Sequence, residues 1–377
     1  MNAINKSIVV AGLVCIDITP EFNYNTKLDL SSCFQPGKLI RTKGVTVSAG
    51  GAVANTGLAL AKLGAKVHLM YMVGNDSFGE MVSKQLNQYH VSTTPLKTDK
   101  AATSYSVILA FPGYDRIILH DVGANDILSA DDFDYDVIHD ACIFHFGYPQ
   151  SMRKFYINNA DELVYMYKRV HNMGVATSLD MALADMSSES SRIDWKHALK
   201  NLMPYVDIFA PSLEELCQSM DLEQYKIWNN ESYQNGKTIL DLIPNDYIEH
   251  LANQLISWGA RIVLIKCGTR GMYLQTASQA AINQIGGGLT ENLKGWGNQH
   301  FWMPCFRVDR VCSGTGAGDT SIAGFLYSIQ RGYPIKRCVE IAAATGALCV
   351  TSYDTLSNIV SIDEINQKIK DGWETVT

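Results

Sequence analysis

At 377 residues, 47% hydrophobic and 18% charged, the chain has the make-up of a folded protein with a large core, which excludes a disulfide-stapled miniature scaffold and wholesale disorder. Its 31 basic and 38 acidic residues give a net charge of −7, interspersed rather than blocked, so no basic face is offered to a nucleic-acid backbone. The 9 cysteines are scattered, odd in number and never spaced C-x-x-C, and read as reduced side chains rather than a disulfide framework or zinc site.

In chain order, the apolar run Ile8–Ile18 is interrupted by Gly12 and Asp17 and follows almost no basic residues, so it reads as a buried first strand rather than a signal peptide. No run approaches the roughly 18 apolar residues of a membrane span, and a cytoplasmic location with neither membrane nor nucleic-acid partner is expected. Polar, turn-rich sequence at 21–39 leads to short β-like runs at Thr46–Ser48, Tyr105–Phe111 and Arg116–His120, which together predict a small separate sheet. Between them, Gly50–Gly64 has a helical pattern with a glycine stop and is followed by strand-like Val67–Val73. The rhythm repeats with strand Cys142–Phe146, helix Asp161–Met173, strands Val175–Leu179 and Ile208–Ala210, helices Ser212–Met220 and Asp246–Trp258, and strand Arg261–Lys266. Such alternation, with strands apolar throughout, predicts an α/β fold: a mostly parallel sheet with helices on both faces. Stretches 221–244 and 277–304 are polar and read as surface insertions or extra hairpins. Strand-like Phe306–Val311, a glycine loop and helices near Gly316–Arg331 and Ile335–Val350 close the pattern. A single domain over 1–377 is expected, carrying a β lid from segments within about 15–50 and 100–125.

The glycine loop Ser313-Gly314-Thr315-Gly316-Ala317-Gly318-Asp319 opens a helix. Backbone N–H groups converging there, with the positive end of the helix dipole, suit a phosphate or a phosphoryl group in transit. A tight strand-to-helix turn uses glycines too, and Asp319 alone also fits a first-turn acid that satisfies helix N–H groups. Yet a carboxylate inside an anion hole repels a resting phosphate, whereas a phosphoryl transfer to a hydroxyl needs a base beside that hole. There is no G-x-x-x-x-G-K-[ST] loop, and the glycines lie too far along the chain for a dinucleotide fingerprint, so an oxidoreductase reading ranks last. A second constellation, Gly50-Gly51-Ala52-Val53-Ala54-Asn55, allows close approach of a backbone or a polyol, with Asp17 available to vicinal hydroxyls; a tight turn, a helix cap and a strand-end acid explain the same residues.

Taken together, Gly50-Gly51-x-x-x-Asn55, Val73-Gly74-Asn75-Asp76-x-x-Gly79 and Thr315-Gly316-Ala317-Gly318-Asp319 resemble the paired signatures of ribokinase-like (PfkB) carbohydrate kinases. Gly123-Ala124-Asn125, Pro211 to Glu215 and Lys266-Cys267-Gly268-x-x-Gly271 fall in the family's order, so the resemblance spans essentially the whole chain. It implies a ribokinase-like three-layer α/β/α core and an ATP- and Mg²⁺-dependent kinase acting on a hydroxyl of a sugar or related polyol. By the same resemblance Asp319 is the base, and Gly316, Ala317 and Gly318 form the anion hole. Asp17, Gly50, Gly51 and Asn55 hold the sugar, and Thr315, Ser212, Gly268 and Gly271 contact the nucleotide, with further contacts from Lys266–Gly271, Trp302–Val308 and the Ile341–Val350 helix. Glu215 serves the metal. Ser212 replaces the family's Asn and forms a capping-box pattern with Glu215, and Ser313 replaces an Asp that contributes to a monovalent-cation site in some relatives, which puts potassium activation in doubt. A homodimer through the small sheet is implied as one arrangement. Two other readings remain: a nucleoside kinase, with Tyr105, Phe111 and Phe146 as base-pocket aromatics, and a catalytically silent sugar- or nucleotide-binding regulator.

Overall fold

The first apolar run is two strands, not one. In the computed structural model, which describes residues 3–22, 34–111 and 116–376, Ile8–Gly12 (β1) and Cys15–Phe22 (β2) belong to different sheets. The break falls at Gly12, whose φ of +125° and 2.4 Å approach of a would-be Cβ to the Gly147 carbonyl oxygen suit glycine alone. Asn125 pins this joint: its Oδ1 accepts from the Val14 N–H and its Nδ2 donates to the Val14 carbonyl. Asn125 is thus a buried clamp, which explains the Gly123-Ala124-Asn125 landmark structurally.

The remaining strands are Thr42–Gly50 (β3), Val67–Gly74 (β4), Ser92–Thr98 (β5), Tyr105–Leu109 (β6), Ile117–Asp121 (β7), Ile143–Gly147 (β8), Ala176–Asp180 (β9), Ile208–Phe209 (β10), Ile262–Lys266 (β11), Met272–Thr276 (β12) and His300–Met303 (β13). Among the described residues nine strands form one sheet in the order β13-β12-β11-β10-β9-β8-β1-β4-β5, all running in one direction except β12, which is antiparallel to both its neighbours. Alternate residues of β1 feed two cores. Ile8 and Val10 pack with helices Gly51–Lys62, Ala317–Gln330 and Ile335–Cys349. Val9 and Ala11 face the other layer, built on helices Arg153–Asn172, Trp195–Leu202, Leu213–Met220 and Asn245–Ser257. This is the expected three-layer core.

The smaller sheet runs β3-β2-β6-β7. Its register lines Asp17, Ser106 and His120 across three strands on one face and Ile18, Val107 and Leu119 on the other. Strand alternation thus separates a polar face from an apolar one. Of the lid segments expected within about 15–50 and 100–125, residues 23–33 and 112–115 lie outside the described residues.

Three further sequence expectations are corrected. Stretch 221–244 is no hairpin: Leu222–Asn235 is a helix, capped by Asp221 and ended by Gly236 at φ +64°, and only Tyr225 and Trp228 anchor it inward, too few to produce a visible apolar stripe. Stretch 277–304 is not only surface: Leu289, Leu293 and Trp296 are buried in the core, Trp296 beside Phe325, and its end becomes edge strand β13. Phe306–Val311 is not a strand; Phe306 makes one isolated bridge, to Thr375, and stacks on Trp373.

A buried ion pair joins the ends of β10 and β11. Asp207 Oδ1 lies 3.3 Å from Arg261, while Oδ2 accepts from the Thr177 N–H and hydroxyl. Burial lifts this carboxyl to about 6, with Arg261 opposing. Asp207→Asn leaves a buried guanidinium unpaired, so urea unfolding should show a loss of about 3 kcal/mol. Because the folded carboxyl binds its proton more tightly than the unfolded one, its contribution favours folding at low pH and is lost as pH rises from 3.8 through about 6. The variant should lack that slope.

Candidate active site

Four strands and two helix starts deliver side chains to the carboxyl edge of the large sheet, beside β1, where the chain winds away in both directions. Ligands of open α/β sheets bind at such a switch point. From the sheet come Tyr148, just past β8, Asp180 at the end of β9, and Lys266 at the end of β11; Asp17 comes from β2. Helix Gly51–Lys62 begins directly after β3 and carries Asn55 and Thr56 in its first turns. Gly316, at φ +75°, caps helix Ala317–Gln330 and places Asp319 in the first turn, and a Cβ on Gly316 would meet the Thr355 side chain at 2.3 Å.

Asp319 is 1% exposed and surrounded by donors. Its Oδ2 accepts from Tyr148 Oη at 2.7 Å and Asn55 Nδ2 at 3.0 Å, and its Oδ1 accepts from Thr56 Oγ1 at 3.3 Å. Burial raises its pKa above the ordinary carboxylate range, while Tyr148, Lys266, Asn55 and Thr56 pull in the opposite direction. A carboxyl so placed is a stronger base than an exposed one once ionised.

Beneath the glycine loop lies a charge cluster of Lys266, Glu215, Asp319 and Asp180, of which sequence patterns singled out all but Asp180. Lys266 Nζ is 2.7 Å from Asp180 Oδ1 with both side chains buried, and Glu215 and Asp319 also act on it electrostatically. One ammonium thus faces three carboxylates. Burial raises all three acids; it would discharge Lys266, but Asp180 and Glu215 more than offset this and hold the ammonium above its usual pKa. A Cβ on Gly318 would lie 3.2 Å from Lys266 Nζ, so glycine there lets the ammonium reach the glycine loop.

A cavity of 570 Å³ opens in front of Asp319. Of the residues expected from sequence, Asp17, Gly51, Asn55, Thr315, Gly316 and Asp319 line it. Gly50 stands behind Asp17, since a Cβ there would fall 2.0 Å from Asp17 Oδ2. Gly51, at φ +81°, is pressed against the Leu13 carbonyl, so its glycine is required by the backbone turn.

Other expected residues lie elsewhere. Ser212 caps its helix, accepting from the Glu215 N–H at 3.3 Å while Glu215 Oε2 accepts from the Ser212 N–H at 2.7 Å. The capping-box pattern is realised, and it turns Glu215 towards Lys266. Gly268 and Gly271 form the tight turn between β11 and β12 with φ of +56° and +89°; a Cβ on Gly271 would meet the Met303 carbonyl at 2.0 Å. Neither lines the cavity. The proposed base-pocket aromatics are structural: Phe146 is buried against Phe144 and Phe155, Tyr105 packs on Phe78, and Phe111 on Phe22 and Phe34. Tyr148 and Tyr156 reach the cavity instead, joined from the small sheet by Ser106, Arg116 and His120. Burial lowers the pKa of His120, whose Nδ1 is 3.1 Å from Ser106 Oγ. Asp180 carried a usable signal, an acid directly after an apolar strand; Tyr148 carried none.

The site can be tested for a nucleotide phosphate and its metal. Thr315 Oγ1 is buried without a hydrogen-bond partner, and it sits in the same loop as the Gly316–Gly318 cradle above Lys266. These features fit phosphate oxygens. Among the described residues no three His, Cys, Asp or Glu side chains converge as a direct metal set. Glu215 and Asp180 therefore fit an ion ligated mainly by phosphate oxygens and water, as Mg²⁺ commonly is.

The model of the pfkB family carbohydrate kinases matches residues 6–361. The 5-dehydro-2-deoxygluconokinase of Geobacillus thermodenitrificans is 23% identical over 368 residues, covering 96% of this chain and 92% of the relative. The deoxyribokinase of Salmonella typhi is 22% identical over 332 residues, covering 88% and 90%. The solved structure of Arabidopsis thaliana ribokinase complexed with ribose and ATP superposes with a TM-score of 0.69 at 21% identity, covering 98% of this chain and 99% of that one. Among the described residues no helix is long and apolar enough to cross a membrane.

Proposed function

The chain belongs to the pfkB family of carbohydrate kinases, and from that premise we propose that it moves the γ-phosphoryl group of ATP to a hydroxyl of a small sugar or polyol, with Asp319 as the base. The observation that carries this reading is the placing of Asp319: it stands at a helix N-terminus under a glycine loop and faces the same cavity as Asp17.

In this reading Asp17 accepts hydrogen bonds from acceptor hydroxyls, and Ser106 and His120 extend the polar row across the small sheet. The acceptor hydroxyl meets Asp319 Oδ2. As its oxygen bonds to the γ-phosphorus, the proton passes to Asp319 and ADP leaves. The Gly316–Gly318 backbone N–H groups, Thr315 Oγ1 and Lys266 Nζ stabilise the charge developing on the transferring group. Glu215 and Asp180 would hold Mg²⁺ through water when it binds with the nucleotide, and the ion would neutralise phosphate charge. The small sheet closes over the acceptor and excludes water. Its outer face, where Ile117 and Leu119 are exposed, is where a second copy would pair.

A sugar is favoured over a nucleoside by the similar 5-dehydro-2-deoxygluconokinase and deoxyribokinase, while Tyr105, Phe111 and Phe146 pack away from the cavity and leave Tyr148 and Tyr156 as the aromatics on its wall. The test is ADP release with Mg²⁺ and ATP against 2-deoxyribose, 5-dehydro-2-deoxygluconate, ribose, fructose and nucleosides, with Asp319→Asn as control. Stimulation by a sugar that depends on Asp319 is expected. Stimulation by nucleosides alone would replace the sugar reading, and none at all in a folded protein that binds ATP would favour a silent regulator.

Gly50→Ala probes acceptor binding by itself. Gly50 has φ −129° and ψ −171°, which alanine adopts freely, but the new methyl group would displace the Asp17 carboxylate. The acceptor KM should rise about tenfold, the effect of roughly one charged hydrogen bond, with the ATP KM unchanged. An unmoved acceptor KM would remove Asp17 from acceptor binding.

A further inference from the structure

Oδ2 is the Asp319 oxygen that faces the cavity, because its partners Tyr148 and Asn55 both line the cavity whereas Oδ1 faces the fully buried Thr56. A carboxylate oxygen has two lone pairs, and both of those on Oδ2 are engaged. An acceptor hydroxyl that hands its proton to Oδ2 must therefore displace a donor. Both donors line the cavity, but Asn55 is buried and held in a helix whose residues 51–60 are all buried, while Tyr148 is only half-buried, at the junction of β8 with the Pro149 turn. Its backbone there is left-handed, φ 72° and ψ 44°, a strained setting for a tyrosine and one that marks functional positions.

We propose that the Tyr148 hydroxyl is a removable plug on the candidate base: it occupies the acceptor's place on Asp319 Oδ2 until a sugar hydroxyl displaces it, and so keeps water from being activated there. The proposal rests on the kinase reading above. The reaction it suppresses is attack of a water oxygen on the γ-phosphorus, with the water proton passing to Oδ2 and ADP leaving.

The experiment compares wild type, Tyr148→Phe and Tyr148→Asn with Mg²⁺ and ATP alone, then with an acceptor identified from the sugar panel. Asn adopts the left-handed backbone readily, so the second variant removes the phenol without added strain. Both variants should raise acceptor-free ATP hydrolysis about tenfold and lower the acceptor KM by a similar factor, the scale of one hydrogen bond to a charged group. Combining Tyr148→Phe with Asp319→Asn should erase the gained hydrolysis. Unchanged or reduced hydrolysis accompanied by a fall in kcat would overturn the plug and leave Tyr148 as an orienting partner; gained hydrolysis that survives Asp319→Asn would overturn it too. Failure of the base assignment itself appears separately, as Asp319→Asn alone retaining wild-type transfer.

Discussion

Asp319→Asn should lower kcat by about a thousandfold, within the 10²–10⁴ range of a general base, with the protein folded and ATP affinity unchanged. The amide oxygen can keep the hydrogen bonds from Tyr148 and Asn55, and the amide nitrogen then faces Thr56 Oγ1, which can turn to accept. What the substitution removes is the proton acceptor. It also removes a buried carboxyl whose pKa burial has raised, so thermal stability at neutral pH should hold or rise, and a stability loss cannot explain the kinetic one. In wild type the acid limb of kcat/KM should fall at higher pH than for an exposed aspartate. Near-normal turnover of Asp319→Asn, measured as acceptor-dependent ADP release, would take the base role from this residue.

The second large effect is expected at Lys266. Lys266→Met removes the ammonium that lies under Gly318, and loss of one such charge-stabilising group costs about 10²–10³ in kcat. It also leaves Asp180, Glu215 and Asp319 without their cation. Since Lys266 pulls the Asp319 pKa down, its loss should move the acid limb of the pH profile further upward. The uncompensated Asp180 carboxylate, within 2.7 Å of the missing ammonium, should lower stability by about 3 kcal/mol in urea unfolding. Adding Asp180→Asn should recover much of that stability but not the rate. Recovery of both would make Lys266 a structural counter-ion rather than a participant in phosphoryl transfer.

The large sheet was legible because its strands are apolar on both faces and its helices end in glycines: Gly64, Gly174 and Gly332 all adopt positive φ at the stops their positions predict. The insertions were not, because polarity was read as surface. Leu222–Asn235 is mostly polar yet helical, since Asp221 and Gly236 cap its ends, and the buried Trp296 belongs to a segment rich in Gly and Asn. The first strand was misjudged for a different reason: hydrophobicity continues through the Gly12 break although the chain changes sheets there.

Residue pattern alone sufficed for whatever depends on neighbours along the chain. The glycine loop opening onto Asp319, the Ser212–Glu215 capping box and the alternation of strand and helix are all local, because backbone conformation and helix-end hydrogen bonding are set within a few residues. Only the tertiary structure could decide which of these local parts share a cavity. Asp319 meets Asn55 across 264 positions and Tyr148 across 171, and Lys266 meets Asp180 across 86. Such contacts follow from strand order and register rather than from spacing. Burial at the sheet edge then sets the proton affinities of these groups, and no single-chain pattern carries that information.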